Sequence, residues 1–364
     1  MSTGSISRAQ RRITKDIKDI FEDTKNLSDS NIHIWFNEEN MYTIYILMIG
    51  TDGTPYTGGF YFFKFIFTDE YPIKPPTAKF YSTDGKIRFN PNLYTCGKVC
   101  LSLLGTWSGP QWTPANSLTS ILVSLQAMVL NKNPLINEPG YDSSPTETLE
   151  KYNAVIRHEN LRFAVNKLLD KVPVGFECFY NVMENYFLEN FNKYLNTVKE
   201  LREKEDNKTI ESPAYGMKIV TNYKKIYNDI VINFNKIVKE YLKTEINVDE
   251  MSDANIEIII NDILTKKKNK GLNENVSSNP NTAGETSGTS CDIDYSKIVD
   301  KICELHIDQL RYVSKFNLIE YGTKKSTDGD EAFTLKEEIL ALVNNKTFDV
   351  ASLDGIDNIL EEVD

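Results

Sequence analysis

The sequence has few of the residues that build metal sites or disulfide frameworks. Its 364 residues include 5 cysteines and 3 histidines, and no two cysteines form a Cys-x-x-Cys pair. Cys96 and Cys100 lie four apart with no second pair of ligands near them, so we expect no zinc site. The odd, scattered set of cysteines does not indicate a disulfide framework either. We therefore expect reduced thiols, no bound metal and an intracellular protein.

Long apolar runs are also absent. No stretch approaches the roughly 20 residues that a membrane helix needs, and the first residues, MSTGSISRAQRRITKDI, lack the apolar core of a secretory signal. We expect no membrane partner and a cytoplasmic location, with the nucleus as an alternative.

Positive charge is scarce at one end of the chain. The net charge is −11, and residues 326–364 hold eleven acidic residues against Lys336 and Lys346, a net of −9. The acidity therefore belongs to a tail. It argues against tight nucleic-acid binding by that tail and says nothing about the ligands of the rest of the chain; we expect no nucleic-acid partner.

Hydrophobic periodicity predicts an α+β fold. Residues 6–25 have helical spacing, and four β-rich runs follow, separated by turn signals: 32–36, 42–50, 58–67 and 77–83. An irregular stretch, 84–116, precedes a predicted helix over 117–130, with Asn116 or Ser117 as its cap.

The rest of the chain is predicted to be mostly helical. Residues 146–200 have helical patterns with a break at 172–175, and 214–267 contain two more candidate helices. Gly, Ser, Asn and Thr dominate 271–290, as is typical of a flexible linker. We divide the chain into five segments: a core (1–145), its helical extension (146–205), a helical region (206–270), a linker (271–291) and a helical segment with an acidic tail (292–364).

Cys100 lies in the irregular stretch, where functional residues are more common than in packed elements. Asn92, eight residues earlier, has a side-chain amide that can donate to a developing oxyanion. A Cys–His dyad has no nearby histidine, whereas thioester exchange needs only a modest thiolate population because the incoming acyl group is already activated. The plain alternative is that Cys100 is a small buried side chain.

Three motifs carry a family resemblance: YPIKPP (71–76), FNPNLYTCGKVCLSLL (89–104) and WTPANSLTSILVSLQAMV (112–129). Their content and order resemble the ubiquitin-conjugating enzyme family over residues 6–145. The family's His-Pro-Asn triplet is Asn-Pro-Asn here, with Asn90 as the changed residue. The resemblance implies a fold of one helix, a four-stranded antiparallel meander, an active-site loop and further helices.

Three further stretches narrow the resemblance: GTWSGPQW (105–112), NPLINEPGY (133–141) and YNAVIRHENLRFAV (152–165). They are similar to the large family members that have Asn-Pro-Asn and a helical C-terminal extension. This narrower similarity extends to about residue 200.

The resemblance implies a transferase in which Cys100 accepts ubiquitin or a ubiquitin-like modifier as a thioester and passes it to lysine of protein substrates. Asn92 would stabilise the oxyanion or hold the loop, and Asn90 would be structural. Glu138 or Asn137 would orient the incoming lysine, although the segment is one residue longer than the common pattern.

The resemblance also implies partners. An activating enzyme and a ligase, where one is needed, would contact the first helix and two loops. The matching residues are Arg8, Arg11, Arg12, Ile73, Pro114 and Ala115. No cofactor is expected on this chain, because the activating enzyme consumes the ATP.

Two other functions compete with this one. A non-catalytic scaffold or binding module of the ubiquitin pathway would retain the fold without needing the thiol. A thiol protease or redox protein would use Cys96 and Cys100, but it would lack both a Cys-x-x-Cys pair and a nearby histidine.

Overall fold

The computed structural model describes residues 7–22, 31–37 and 40–276, with side chains up to residue 268. It begins with helix α1, Arg8–Glu22. Ala9, Ile13, Ile17 and Ile20 recur at spacings of four, four and three, and all four are buried. Because these spacings place side chains on one face of a helix, α1 packs as an amphipathic helix on the core, as predicted.

The predicted four-stranded meander is confirmed. The strands are β1 Ile32–Asn37, β2 Asn40–Ile49, β3 Phe60–Ile66 and β4 Thr77–Phe80. They pair antiparallel in sequence order. One row across the sheet joins Ile34, Ile46, Phe63 and Phe80, so apolar side chains meet on one face.

Helix α2, Leu118–Ser124, continues as a π-helical turn, Leu125–Val129. Its cap is Ser117, in a capping box with Ser120. The other predicted cap, Asn116, instead accepts a hydrogen bond from the Thr113 N–H at 2.8 Å. The cap fixes where the irregular stretch ends, after a 3-10 turn at Ser102–Leu104.

The predicted helical extension is present. Its helices are α3 Thr146–Glu159, prolonged by a π-helical segment Asn160–Lys167 and by Leu168–Asp170, then α4 Tyr180–Glu189, α5 Phe191–Glu205, α6 Tyr223–Leu242 and α7 Asp253–Val276. Short 3-10 turns lie at Pro134–Asn137, Glu177–Phe179 and Val248–Glu250.

The extension packs against the sheet. The ring of Phe60 lies 6.3 Å from that of Tyr186, and Phe62 lies 6.3 Å from Phe179. The Tyr61 hydroxyl donates to Asn160 Oδ1 at 2.6 Å. Apolar residues therefore run almost without interruption along β3, since neighbouring positions are covered from different sides. Among the described residues, no helix has both the length and the apolar character of a membrane span.

Two predictions need correction. The region 206–270, predicted to be helical, opens with a β-hairpin of β5 Thr209–Glu211 and β6 Lys218–Val220. Its strands have three residues each, too short for periodicity to reveal. Helix α7 also runs to Val276, into the predicted linker, because adding residues to a helix costs far less than starting one. The remainder of the linker and the segment 292–364 lie outside the described residues.

The predicted break at 172–175 is confirmed between Asp170 and α4. Residues 173–178 belong to a second compact unit whose other members lie outside the described residues. Within it, the Gly175 N–H donates to Glu177 Oε2 at 2.8 Å.

Candidate active site

The stretch from Asn92 to Cys100 is a small hairpin. The Cys100 N–H donates to the Asn92 carbonyl at 2.8 Å, and the Tyr94 N–H donates to the Lys98 carbonyl at 3.0 Å. Gly97, at φ 87°, makes the turn, and a Cβ there would meet the Phe80 carbonyl oxygen at 2.8 Å. The eight-residue spacing of Asn92 and Cys100 thus makes them direct partners across the hairpin.

The side chain of Asn92 reinforces this pairing. Its Nδ2 donates to the Cys100 carbonyl oxygen at 2.7 Å, and both residues are buried. The same amide that could face an oxyanion therefore binds the backbone of the cysteine. One of its two amide hydrogens remains for a second acceptor.

Asn90 anchors the hairpin to the rest of the fold. Its Nδ2 donates to the Val129 carbonyl at 2.6 Å and to the Tyr56 hydroxyl at 3.1 Å, while its Oδ1 accepts the Asn92 N–H at 2.8 Å. These bonds join the hairpin to the end of helix α2. They agree with the structural role that the resemblance implied for this position.

Burial and nearby positive charges shift the pKa of the Cys100 thiol in opposite directions. The residue is only 2% exposed, and burial raises the pKa of the Cys100 thiol above its usual value. The positive charges of Lys98 and Arg88 and a hydrogen bond from Tyr94 act in the other direction on that pKa. Burial is the larger effect, so the pKa of the Cys100 thiol is raised, and the two cations limit that rise.

Comparisons with known proteins match this domain to one family. Residues 12–158 match the family model described as ubiquitin-conjugating enzyme. The protein named ubiquitin-conjugating enzyme E2 Z from Danio rerio is 40% identical over 192 residues, which is 52% of this chain and 57% of that protein. Over residues 12–158 the chain is therefore similar to the ubiquitin-conjugating enzyme family.

Other relatives extend the comparison. The human ubiquitin-conjugating enzyme E2 Z is 41% identical over 187 residues, 50% of this chain and 51% of that protein. A crystal structure of a Plasmodium falciparum ubiquitin-conjugating enzyme is 25% identical and covers 33% of this chain and 97% of its own, with a TM-score of 0.29. The chain spans little more than half the length of the two ubiquitin-conjugating enzyme E2 Z relatives that it matches.

The residues predicted to orient a lysine lie on the turn after α2. Asn137 Nδ2 donates to the Met128 carbonyl at 2.8 Å and lies 3.5 Å from Asn90 Oδ1. Glu138 Oε2 accepts the hydroxyl of Tyr215 at 2.5 Å. The amide of Asn137 is thus bonded to neighbouring segments, and the Glu138 carboxylate is held by a residue of the extension.

The residues predicted to bind partners are brought to one corner of the domain. Arg12 donates to the carbonyls of Pro114 and Asn116 at 2.9 and 2.6 Å. Trp112 Nε1 donates to the Pro72 carbonyl at 2.8 Å, next to Ile73, which is 66% exposed. Arg8, Arg11, Pro114 and Ala115 are also exposed. Arg12 differs from them, because its guanidinium already joins α1 to the loop.

Sequence reasoning missed two residues that act on the thiol, Arg88 and Tyr94, and a third, Tyr215, that contacts Arg88. The Arg88 guanidinium carbon lies 3.7 Å from the ring centre of Tyr94 and 4.1 Å from that of Tyr215. Tyr94 lies within the motif at 89–104, between Asn92 and Cys100, where only the asparagines and the cysteine were assigned roles. Tyr215 was detectable only as part of a turn signal, Ser-Pro-Ala-Tyr-Gly, between the β-branched runs of β5 and β6.

Proposed function

We propose that this chain carries ubiquitin or a ubiquitin-like modifier as a thioester on Cys100 and transfers it to lysine of protein substrates. The observation that carries the proposal is the pairing of Asn92 with Cys100. It fixes a cysteine and an amide donor side by side in a domain of the ubiquitin-conjugating enzyme family.

The proposed chemistry has two steps. In the first, the Cys100 thiolate attacks the carbonyl carbon of a thioester on the activating enzyme; a new S–C bond forms and the thiol of that enzyme leaves. In the second, a lysine amine attacks the same carbonyl; the C–N bond forms, the S–C bond breaks, and the amine proton passes to water. Neither step needs a nearby histidine, because the acyl group arrives activated.

The thiol environment suits exchange of this kind. A thiol with a raised pKa is mostly protonated at neutral pH, and Lys98 and Arg88 favour the thiolate, which is the form that reacts. We propose that Asn92 holds the loop through its bond to the Cys100 carbonyl. Its second amide hydrogen is then available to the oxyanion.

The proposed reaction requires several partners. An activating enzyme, the modifier, protein substrates and, where required, a ligase would act with this chain. The exposed corner of Arg8, Arg11, Ile73, Pro114 and Ala115 is proposed as the partner surface, with Arg12 as its support. The chain would need no cofactor of its own, because the activating enzyme spends the ATP.

The test is a charging assay on the full chain with an activating enzyme, ATP and ubiquitin, followed by non-reducing and reducing gels. We expect a conjugate that disappears with thiol reductant and becomes a reductant-stable ester in Cys100→Ser. The matched control is Cys96→Ser, because Cys96 lies at the exposed tip of the same hairpin. This variant should be charged like the wild type.

Two outcomes would contradict the proposal. If no conjugate forms with any activating enzyme or related modifier, the domain is a binding scaffold with a structural cysteine. If Cys100→Ala is charged as well as the wild type, the thioester is on another cysteine.

A further inference from the structure

The β5–β6 hairpin of the extension presents Tyr215 to the active site. Its turn holds Tyr215 and Gly216 at φ 63° and 62°. Two contacts fasten the turn to the catalytic domain: the Tyr141 hydroxyl donates to the Pro213 carbonyl at 2.7 Å, and the Arg88 N–H lies 3.3 Å from the sulfur of Met217. A turn tied on both sides leaves Tyr215 little freedom to move.

The ring of Tyr215 helps to hold Arg88, one of the two cations that lower the pKa of the Cys100 thiol. The Arg88 guanidinium contacts the rings of both Tyr94 and Tyr215, and its Nη2 donates to the Pro91 carbonyl at 2.6 Å. Such contacts orient a guanidinium without neutralising it. Arg88 therefore keeps its charge beside Cys100, with one supporting ring coming from more than 120 residues away along the chain.

The hydroxyl of Tyr215 binds Glu138, one of the two residues predicted to orient the lysine. It donates to Glu138 Oε2 at 2.5 Å, and burial raises the pKa of Tyr215 so that the hydroxyl stays a donor. Glu138 lies on a half-buried turn, where an unbonded carboxylate could occupy several rotamers. A hydrogen bond to one oxygen fixes the rotamer and leaves the other oxygen for a ligand.

We propose that Tyr215 is a positioning residue for the acceptor lysine: it fixes the Glu138 carboxylate toward the incoming ammonium group and steadies Arg88 beside the thioester. The segment beyond residue 205 is then part of the transferase site. This inference rests on the proposed function, since it concerns the second step of that reaction. The ligand that Glu138 would take is a primary amine in its cationic form, which a carboxylate attracts before the proton is lost.

The experiment separates the two steps. The full chain is charged with ubiquitin, the activating enzyme is stopped, and loss of the thioester is followed with and without free lysine. In Tyr215→Phe the ring remains and only the hydroxyl is lost. We expect normal charging, an unchanged rate of hydrolysis by water, and lysine discharge slowed about fivefold, the size of one lost hydrogen bond.

Two further variants show whether the hydroxyl acts through Glu138. Glu138→Gln should slow lysine discharge, and adding Tyr215→Phe to it should have no further effect. The matched control is Tyr227→Phe, which removes an equivalent bond, from the Tyr227 hydroxyl to Asp249 at 2.5 Å, elsewhere in the extension. This variant should discharge to lysine at the wild-type rate.

The outcomes are distinguishable. Lysine discharge in Tyr215→Phe equal to that in Tyr227→Phe, or effects of Tyr215→Phe and Glu138→Gln that simply multiply, would overturn the inference while the proposed function stands. A wild-type chain that forms no thioester would overturn the proposed function and this inference with it.

Discussion

Arg12 and Arg88 lie in two different parts of the domain and are held by different kinds of contact. Arg12 uses its three nitrogens on oxygen acceptors: Nε on Asp16 at 2.8 Å and the other two on the carbonyls of Pro114 and Asn116. Arg88 makes one such bond, to the Pro91 carbonyl, and otherwise contacts tyrosine rings. Its Nε is buried with no acceptor among the described residues.

The difference lies in what becomes of each charge. Asp16 neutralises Arg12, so that corner is a scaffold for the proposed partner surface. The hydrogen bond and the ring contacts of the Arg88 guanidinium are instead made to uncharged groups, the Pro91 carbonyl and the rings of Tyr94 and Tyr215. Its charge remains available and shifts the pKa of the Cys100 thiol downward against the effect of burial. The same residue type thus serves stability at one corner and reactivity at the other.

The largest expected effect is the loss of Asp16. This buried carboxylate accepts bonds from Arg12, from the Tyr71 hydroxyl and from the Leu118 N–H. Asp16→Ala leaves all three donors without their acceptor, so we expect the free energy of unfolding to fall by ~3 kcal/mol, measured by urea denaturation. Asp19→Ala, on the exposed face of the same helix, should change it by less than ~0.5 kcal/mol.

The reactivity of the Cys100 thiol should not change in Asp16→Ala. Below its unfolding transition, Asp16→Ala should alkylate at Cys100 at the wild-type rate, since no group near the thiol has changed. A slower alkylation would contradict the assignment of the Arg12 corner to stability alone.

The next effect is on the thiol. Arg88→Gln removes the charge beside Cys100, so the pKa of the thiol should rise further and less thiolate should be present at neutral pH. We expect alkylation of Cys100 by iodoacetamide at pH 7 to slow about threefold, followed on the Cys100 peptide by mass spectrometry. Arg88→Lys should recover part of the rate, because it keeps the charge but not the planar contact.

The pH dependence of the alkylation rate shows in which direction Arg88 shifts the pKa of the Cys100 thiol. Only the thiolate reacts, so the wild-type rate should increase with pH, with a midpoint above the ordinary value for a cysteine. In Arg88→Gln the midpoint should lie higher still. A midpoint that does not move would show that Arg88, like Arg12, is only structural.

The parts of the fold that could be predicted from the sequence are those encoded by patterns within a single helix or strand. The stripe of α1, the four strands and the capped helix α2 follow from the spacing of apolar residues and from Ser117, signals that lie within one element. The resemblance also located Cys100 and Asn92, whose spacing is fixed by a local hairpin. The residues that form each of these features lie close together in the chain, so a short stretch of sequence contains both partners of each contact.

The second half of the site could not be predicted in this way. Tyr215 reaches Arg88 and Glu138 from a hairpin with three-residue strands, and nothing in the local pattern of either segment names the other. Arg12 was predicted to bind partners because the resemblance implies partner contacts on the first helix. Its bond to Asp16 depends on how α1 meets the loop at Pro114, a long-range arrangement that periodicity does not specify.

The smallest expected effect distinguishes the two cations at the thiol. Lys98 is exposed and Arg88 is half-buried, and salt screens an exposed charge much more than a buried one. Raising the salt concentration from about 0.05 M to about 0.5 M should therefore slow Cys100 alkylation at pH 7 by less than about twofold. In Lys98→Gln this salt dependence should vanish, whereas in Arg88→Gln it should persist. If the two variants respond alike to salt, the charges of Lys98 and Arg88 are screened to the same extent, and the contrast between an exposed and a half-buried cation is wrong.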